Sequence, residues 1–165
     1  MDALKAITSK RDSRSFTEQP VDDDTLRHVL QAGRMAGSAK NTQPCRFVVL
    51  TDTAHKEALA ACGSFSAWIP QAPVNIAVVI PSDGRDFDAG RTAQNMMVAA
   101  NALGLASCPV TMHDQDCAQR VLGLPDGHRV AIVLAIGHPV EGSTSGMGAP
   151  RVPLDEMFHR ERWGS

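Results

Sequence analysis

The sequence predicts a mixed α/β domain, and two observations carry that prediction. Strongly apolar, β-branched runs lie at Phe47 to Leu50, Pro73 to Pro81 and Arg129 to Gly137, and the segments between them place apolar residues at helical spacing. A chain of 165 residues is one domain by size and buries about 70% of its unfolded surface, so it needs no staples. With 43% hydrophobic and 21% charged residues it has the composition of a water-soluble globule, which excludes a disordered, collagen-like or coiled-coil chain. A formal charge of -2 supplies no field that would draw it onto nucleic acid or an anionic membrane.

The elements follow in order. Asp2 to Ser9 is helix-compatible, with Leu4 and Ile7 one turn apart and Asp2 placed to favour the N-terminus. After Pro20, the acidic run Asp22-Asp23-Asp24 opens a second helix whose apolar face is Leu26, Val29, Leu30 and Gly33, ending near Met35. Gly37 to Pro44 has no apolar face and reads as a loop feeding the strand Phe47 to Leu50. Thr53 to Cys62 reads as a helix, and Pro73 to Pro81 as a strand between prolines. Asp88 to Leu103 is the most periodic stretch, with Ala93, Met96, Met97, Ala100 and Leu103 on one face and Gly104 as its stop, and is predicted as the central helix. The pair Met96-Met97 reads as dimer core rather than substrate face. Cys108 to Thr111 is short and extended, Gln115 to Leu122 is helical, and Arg129 to Gly137 is a buried strand. Gly142 to Gly148 reads as a connector, and Pro153 to Arg160 as a last short helix carrying Leu154, Met157 and Phe158. The core is therefore expected over residues 1–141, with 142–165 as connector and arm. An arm of this kind must dock on the body or on a second subunit to offset its ordering entropy.

Cysteines 45, 62, 108 and 117 form no C-x-x-C and no zinc spacing, so reduced thiols in a cytoplasmic protein are expected. The N-terminus carries no long apolar run, which predicts neither a signal peptide nor a spanning helix. The six histidines show no metal spacing, and Gly146-Met147-Gly148 lacks the strand and third glycine of a dinucleotide fingerprint.

Three segments have chemical potential. Lys10-Arg11-Asp12-Ser13-Arg14 places three cations at the end of a short helix, where they either compensate the negative helix terminus or form an anion site. Asp12 could then hold an arginine or accept from a sugar hydroxyl. Gly37-Ser38-Ala39-Lys40-Asn41-Thr42-Gln43-Pro44 is either an ordinary turn or a loop that lets a ligand approach backbone N–H groups. Arg151, taken by itself, reads as a solvated surface charge.

Taken together and in this order, these segments resemble the flavin-dependent nitroreductase family. Its opening Arg-Arg-Ser-x-Arg-x-Phe pattern is matched by Lys10-Arg11-Asp12-Ser13-Arg14-Ser15-Phe16, with lysine at the first position and Asp12 in place of serine. Its Pro-Ser-x-x-Asn-x-Gln-Pro-Trp segment is similar to Gly37-Ser38-Ala39-Lys40-Asn41-Thr42-Gln43-Pro44-Cys45, where Ser38, Asn41 and Gln43 match. Similarity continues through Ala72-Pro73, Asp88-Ala89-Gly90, Ala93-Gln94-Asn95, Gly104 to Ser107, Leu122 to Gly127, Gly137-His138-Pro139, Arg151 to Glu156 and Arg162-Trp163.

The resemblance implies an α+β nitroreductase-like fold with a mixed central sheet flanked by helices. It implies an intertwined homodimer, with FMN at the subunit interface and the C-terminal arm on the partner. Lys10, Arg11, Asp12 and Arg14, with Arg151, are carried over as the surroundings of the FMN phosphate and ring edge, and Arg14 as a charge facing N1/O2. Ser38, Asn41 and Gln43 are carried over as contacts, Ser38 and Asn41 from the partner, and Pro109-Val110-Thr111 as the stretch passing the flavin edge near N5. The implied activity is an NAD(P)H:acceptor reductase, NADH or NADPH donating and a nitroaromatic, quinone or similar flat small molecule accepting in a ping-pong cycle. Other chemistry on the same fold (dehalogenation or oxygen-using dehydrogenation) and a non-catalytic flavin-holding protein are the alternatives. No tyrosine and 4% aromatic residues leave few stacking groups. Phe65 and Trp68 are candidates for the channel wall, and equally for core packing.

Overall fold

In the computed structural model residues 2–143 and 150–164 are described, so part of the expected connector, including Gly146-Met147-Gly148, lies outside the described residues. The four strands β1 (Arg46–Leu50), β2 (Val74–Pro81), β3 (Ala106–Val110) and β4 (His128–Gly137) form one sheet in the order β1-β2-β4-β3. All three pairings are antiparallel; the parallel element of the expected mixed sheet is a single bridge between Asp12 and Ser107. The central strands are covered on both faces, which is why β2 is apolar at every position but Asn75, whose buried amide donates to the Ile69 carbonyl at 3.0 Å, and buried at every position but Pro81.

Alternation along β2 divides the core in two. Val74, Ile76, Val78 and Ile80 face one layer of helices, α2 (Asp23–Arg34) and α4 (Asp86–Ala102). Ala77 and Val79 face the other, built from α3 (Thr53–Ala60), α5 (Gln115–Leu122) and the turn Ile69–Gln71. The short α1 (Ala3–Ser9) is tied to the end of α4, where the Asn101 amide donates to the Ala6 carbonyl and to Ser9 Oγ, both at 2.9 Å. Aspartates cap four helices, Asp2 and Asp22 where the sequence predicts a helix start and Asp52 and Asp114 in addition; each accepts from the backbone N–H three residues on.

Two expectations are corrected here. Met96 and Met97 are buried within this chain's own core, because α2 packs across α4 so closely that a Cβ on Gly33 would lie 2.2 Å from Met96 Cε. The second concerns the thiols: Cys62 and Cys117 form a disulfide. The C-terminal end of α3 lies against the first turn of α5, bringing their Cα atoms to 5.5 Å, inside the range a disulfide spans. Cys45 and Cys108 are reduced, as expected.

The C-terminal helix α6 (Leu154–Met157) buries none of its residues. Leu154 is 73% exposed, Met157 66% and Trp163 90%, so the arm leaves its apolar side chains uncovered by its own body.

Candidate functional site

The cationic segment leaves α1 in extended conformation and runs along the β3 edge. Ser13 is buried and its N–H donates to the Ser107 carbonyl at 3.1 Å, while Thr17 N–H donates to His138 at 2.9 Å. This pins residues 12–17 beside β3 and β4 and presents the flanking side chains outward. Arg11 donates to the carbonyls of Thr8 and Lys10 at 2.8 Å, so it satisfies the α1 C-terminus as the helix-compensation reading expects. Lys10 forms an ion pair with Asp12. Arg14 lies over the Trp68 ring, 5.4 Å from its centroid.

Beside Arg14 is the Cys108 thiol, whose pKa is raised by burial, a hydrogen bond with Arg14 offsetting only part of the rise. Pro109 and buried Val110 complete β3, and exposed Thr111 follows. From there His113 and Asp114 donate their N–H groups to the Cys62 carbonyl at 3.1 and 2.9 Å. Lys10, Arg11, Asp12, Arg14 and Pro109 to Thr111 are therefore brought together at one edge of the sheet.

Ser38, Asn41 and Gln43 are placed elsewhere. Their loop precedes β1 and contains a 3-10 turn at Ala39–Asn41, with Lys40, Asn41 and Gln43 at φ of 51°, 55° and 49°. Three left-handed non-glycine residues within four positions cost of order 1 kcal/mol each, strain of the kind that clusters where backbone conformation serves a ligand. The loop is held because Ser38 Oγ accepts from Gln43 N–H at 2.8 Å, Arg46 donates to the Gln43 carbonyl at 2.8 Å and Ala39 N–H donates to Asp88 at 3.4 Å. Ser38, Gln43, Cys45, Arg46, Asp88 and Thr92 line a recess of about 100 Å³ beside it.

The two half-sites lie diagonally across the sheet. β1 and β3 are opposite edges, and Arg46 pairs with Val79 whereas Ser107 pairs with Ile136, whose β2 partner is Val74. Three interstrand spacings and five residues along β2 separate them by roughly 20 Å. Arg151 lies exposed in the C-terminal segment, whose short helix buries none of its residues. The stacking of Trp68 on Arg14 and the donation of Ser64 N–H to His113 Nδ1 at 3.1 Å carry no signal in the sequence beyond the presence of an aromatic loop.

A family model described as the nitroreductase family matches residues 7–67 and 61–138, spanning both half-sites. The chain belongs to the nitroreductase family. This nitroreductase-family chain is 27% identical to an FMN reductase [NAD(P)H] of Bacillus subtilis, an alignment covering 98% of this chain and 74% of that one. It is 27% identical to an NADH dehydrogenase of Thermus thermophilus, with 95% of each chain covered. Among solved structures, NfrA2 of Bacillus megaterium superposes with a TM-score of 0.88 at 26% identity, covering 99% of this chain and 76% of that one.

Proposed function

We propose that this nitroreductase-family protein is an FMN-dependent NAD(P)H oxidoreductase that reduces nitroaromatic, quinone or similar flat acceptors. The observation that carries the reading is the cluster on the β3 edge. Three cations and one carboxylate leave a net positive charge beside a strand end with exposed backbone, which fits a phosphate-bearing, flat, polar-edged cofactor. The curated relatives named for FMN and NAD(P)H chemistry support the same reading.

When bound, FMN supplies two-electron transfer between a nicotinamide and an acceptor, so the chain itself needs no nucleophile or triad. Lys10 and Arg11 would hold the FMN phosphate, and Arg14 would present a permanent charge to the ring edge. Thr111, exposed at the end of β3, would face the ring. Ser38, Asn41 and Gln43 contact the same cofactor from a second copy of the chain, since the diagonal separation keeps them from the β3 edge of their own. Arg151 joins the cationic group on the same terms.

The homodimer follows from that separation and from the uncovered arm. The chain reads as one domain with 1–141 as the body, and the described arm residues 150–164 are the segment proposed to dock on the partner. No helix among the described residues is long and apolar enough to cross a membrane; the cytoplasm, where NAD(P)H is supplied, is the enzyme's proposed location, and the Cys62–Cys117 disulfide is the observation that stands against it. Its partners are then a second copy and small molecules rather than nucleic acid.

The test is the visible spectrum after FMN reconstitution and desalting, repeated anaerobically with NADH and with NADPH. A retained band that bleaches with either donor supports the reductase and names that donor; no retained band overturns the reading.

A further inference from the structure

Arg14 is an exposed, long side chain with much rotamer freedom to lose, yet its guanidinium has a defined place over the indole of Trp68. The indole is fixed independently of Arg14. Its Nε1–H donates to the Phe65 carbonyl at 2.8 Å, and its body packs against the core layer of α3 and α5. The loop beneath is anchored by Ser66, fully buried, whose hydroxyl donates to the Ala60 carbonyl at 2.7 Å, by buried Ile69, and by the Cys62–Cys117 disulfide. The backbone of Arg14 is fixed on the other side by the Ser13–Ser107 hydrogen bond. Two rigid supports from distant parts of the chain thus meet through one cation and one aromatic face.

We infer that Trp68 is a positioning residue: its indole face holds the Arg14 guanidinium on the β3 edge, pre-set for the flavin ring edge. Resting on the FMN reading above, this removes Trp68 from the candidates for acceptor stacking. The face covered by Arg14 is already used, whereas Phe65, 72% exposed and edge-on to His113, remains open to a flat acceptor. A planar delocalised cation suits this arrangement, because it can stack through its face while its N–H edge stays directed at a ligand.

The experiment uses the full chain, with Trp163→Phe added only for the apoprotein fluorescence, where Trp68 is then the remaining indole. In the apoprotein, Arg14→Ala should raise acrylamide quenching of Trp68 by about twofold as its face is uncovered. In the FMN-loaded protein, Trp68→Leu should weaken FMN binding roughly fivefold and move the flavin potential to more negative values, the direction of Arg14→Ala. The double variant should be no worse than Arg14→Ala alone, and Trp68→Phe should restore most of both effects. Wild-type FMN affinity and potential in Trp68→Leu with a raised KM for a quinone acceptor would make Trp68 an acceptor platform and overturn the proposal. Additive effects of Arg14→Ala and Trp68→Leu would overturn it too. FMN retained while both variants behave as wild type sinks this inference and leaves the reductase reading standing; wild type that retains no FMN overturns both.

Discussion

Cys62, one residue beyond the capped end of α3, is bonded to Cys117 in the first turn of α5, closing a loop with a sequence separation of 55. In the chain-entropy account, a cross-link of that span stabilises by about 4 kcal/mol. Cys62→Ser/Cys117→Ser, or reduction by dithiothreitol, should therefore lower the thermal midpoint by roughly 10 °C for a chain of this size. Differential scanning calorimetry of oxidised and reduced protein checks this, with thiol counting to confirm the state. An unchanged midpoint after verified reduction would show that the packing of α3 on α5 is sufficient by itself.

Gly33 and Met96 supply a second prediction. Alanine in a helix is worth about 1 kcal/mol over glycine, but a Cβ at Gly33 would sit 2.2 Å from Met96 Cε and 2.8 Å from its Cγ, in a fully buried side chain. Overpacking should win, so Gly33→Ala should destabilise by about 1–3 kcal/mol. In a Met96→Ala background the clashing atoms are gone and the same substitution should be neutral or stabilising. Urea denaturation of the four proteins reads the coupling directly, and a coupling below about 0.5 kcal/mol would mean that α2 shifts away freely.

How much of this was legible beforehand depends on the range of the interaction. The caps Asp2 and Asp22, the buried strand Val74–Pro81 and the end of α2 were readable because each rests on residues within one turn or one pleat. The antiparallel order β1-β2-β4-β3 was not, since a run buried on both faces has no alternation to report which neighbour it takes or in which direction. Met96 looked like interface because helical periodicity identifies an apolar face without saying what covers it; here Gly33 brings α2 onto it. The disulfide was hidden for the same reason, its cysteines being joined only through the packing of α3 on α5. At the candidate site, Arg11 and Arg14 were readable as cations, but their division of labour between helix terminus and aromatic face depends on Trp68, far along the chain.

Asp12 replaces the serine usual in its family segment, and it forms an ion pair with Lys10. That contact takes charge from the group proposed to hold the phosphate. Asp12→Ser should therefore raise FMN affinity about two- to fivefold, leave riboflavin affinity unchanged, and lose the gain at high salt. Fluorescence titration of the apoprotein with both flavins, at low and high ionic strength, separates the outcomes. Equal tightening of FMN and riboflavin would assign Asp12 to the ribityl chain or ring instead.

Asp22 and Asp52 are both held below the ordinary carboxylate value of 3.8, first by the backbone N–H groups of Thr25 and His55 respectively. A carboxylate with a depressed folded-state pKa contributes stability above its unfolded value and loses it as pH falls through the folded one. Asparagine caps about as well without the charge. The advantage of wild type over Asp22→Asn/Asp52→Asn should therefore be constant above about pH 5, begin to fall near pH 3.8 and be lost only as pH passes below the depressed folded-state values. Denaturation midpoints from pH 2 to 7, in about one-unit steps, measure it. A difference that persists undiminished at the acid end would assign the effect to cap geometry rather than charge.

Trp163, Leu154 and Met157 lie on an arm that its own body leaves uncovered, 90%, 73% and 66% exposed respectively. Apolar side chains in water contribute nothing to the stability of the subunit that carries them, but burying one fully against a partner is worth about 1.5–3 kcal/mol. Trp163→Ser and Leu154→Ser should thus leave the monomer's unfolding free energy near wild type while shifting a monomer–dimer equilibrium by tenfold or more each. Retained FMN should fall in parallel with the dimer fraction, because the proposed site takes Ser38 and Asn41 from the second copy. Sedimentation velocity over a concentration series, with the flavin absorbance followed in the same cell, reads both quantities together. FMN that stays with the monomer would place the whole site within one chain and remove the loop at Ser38 to Gln43 from it.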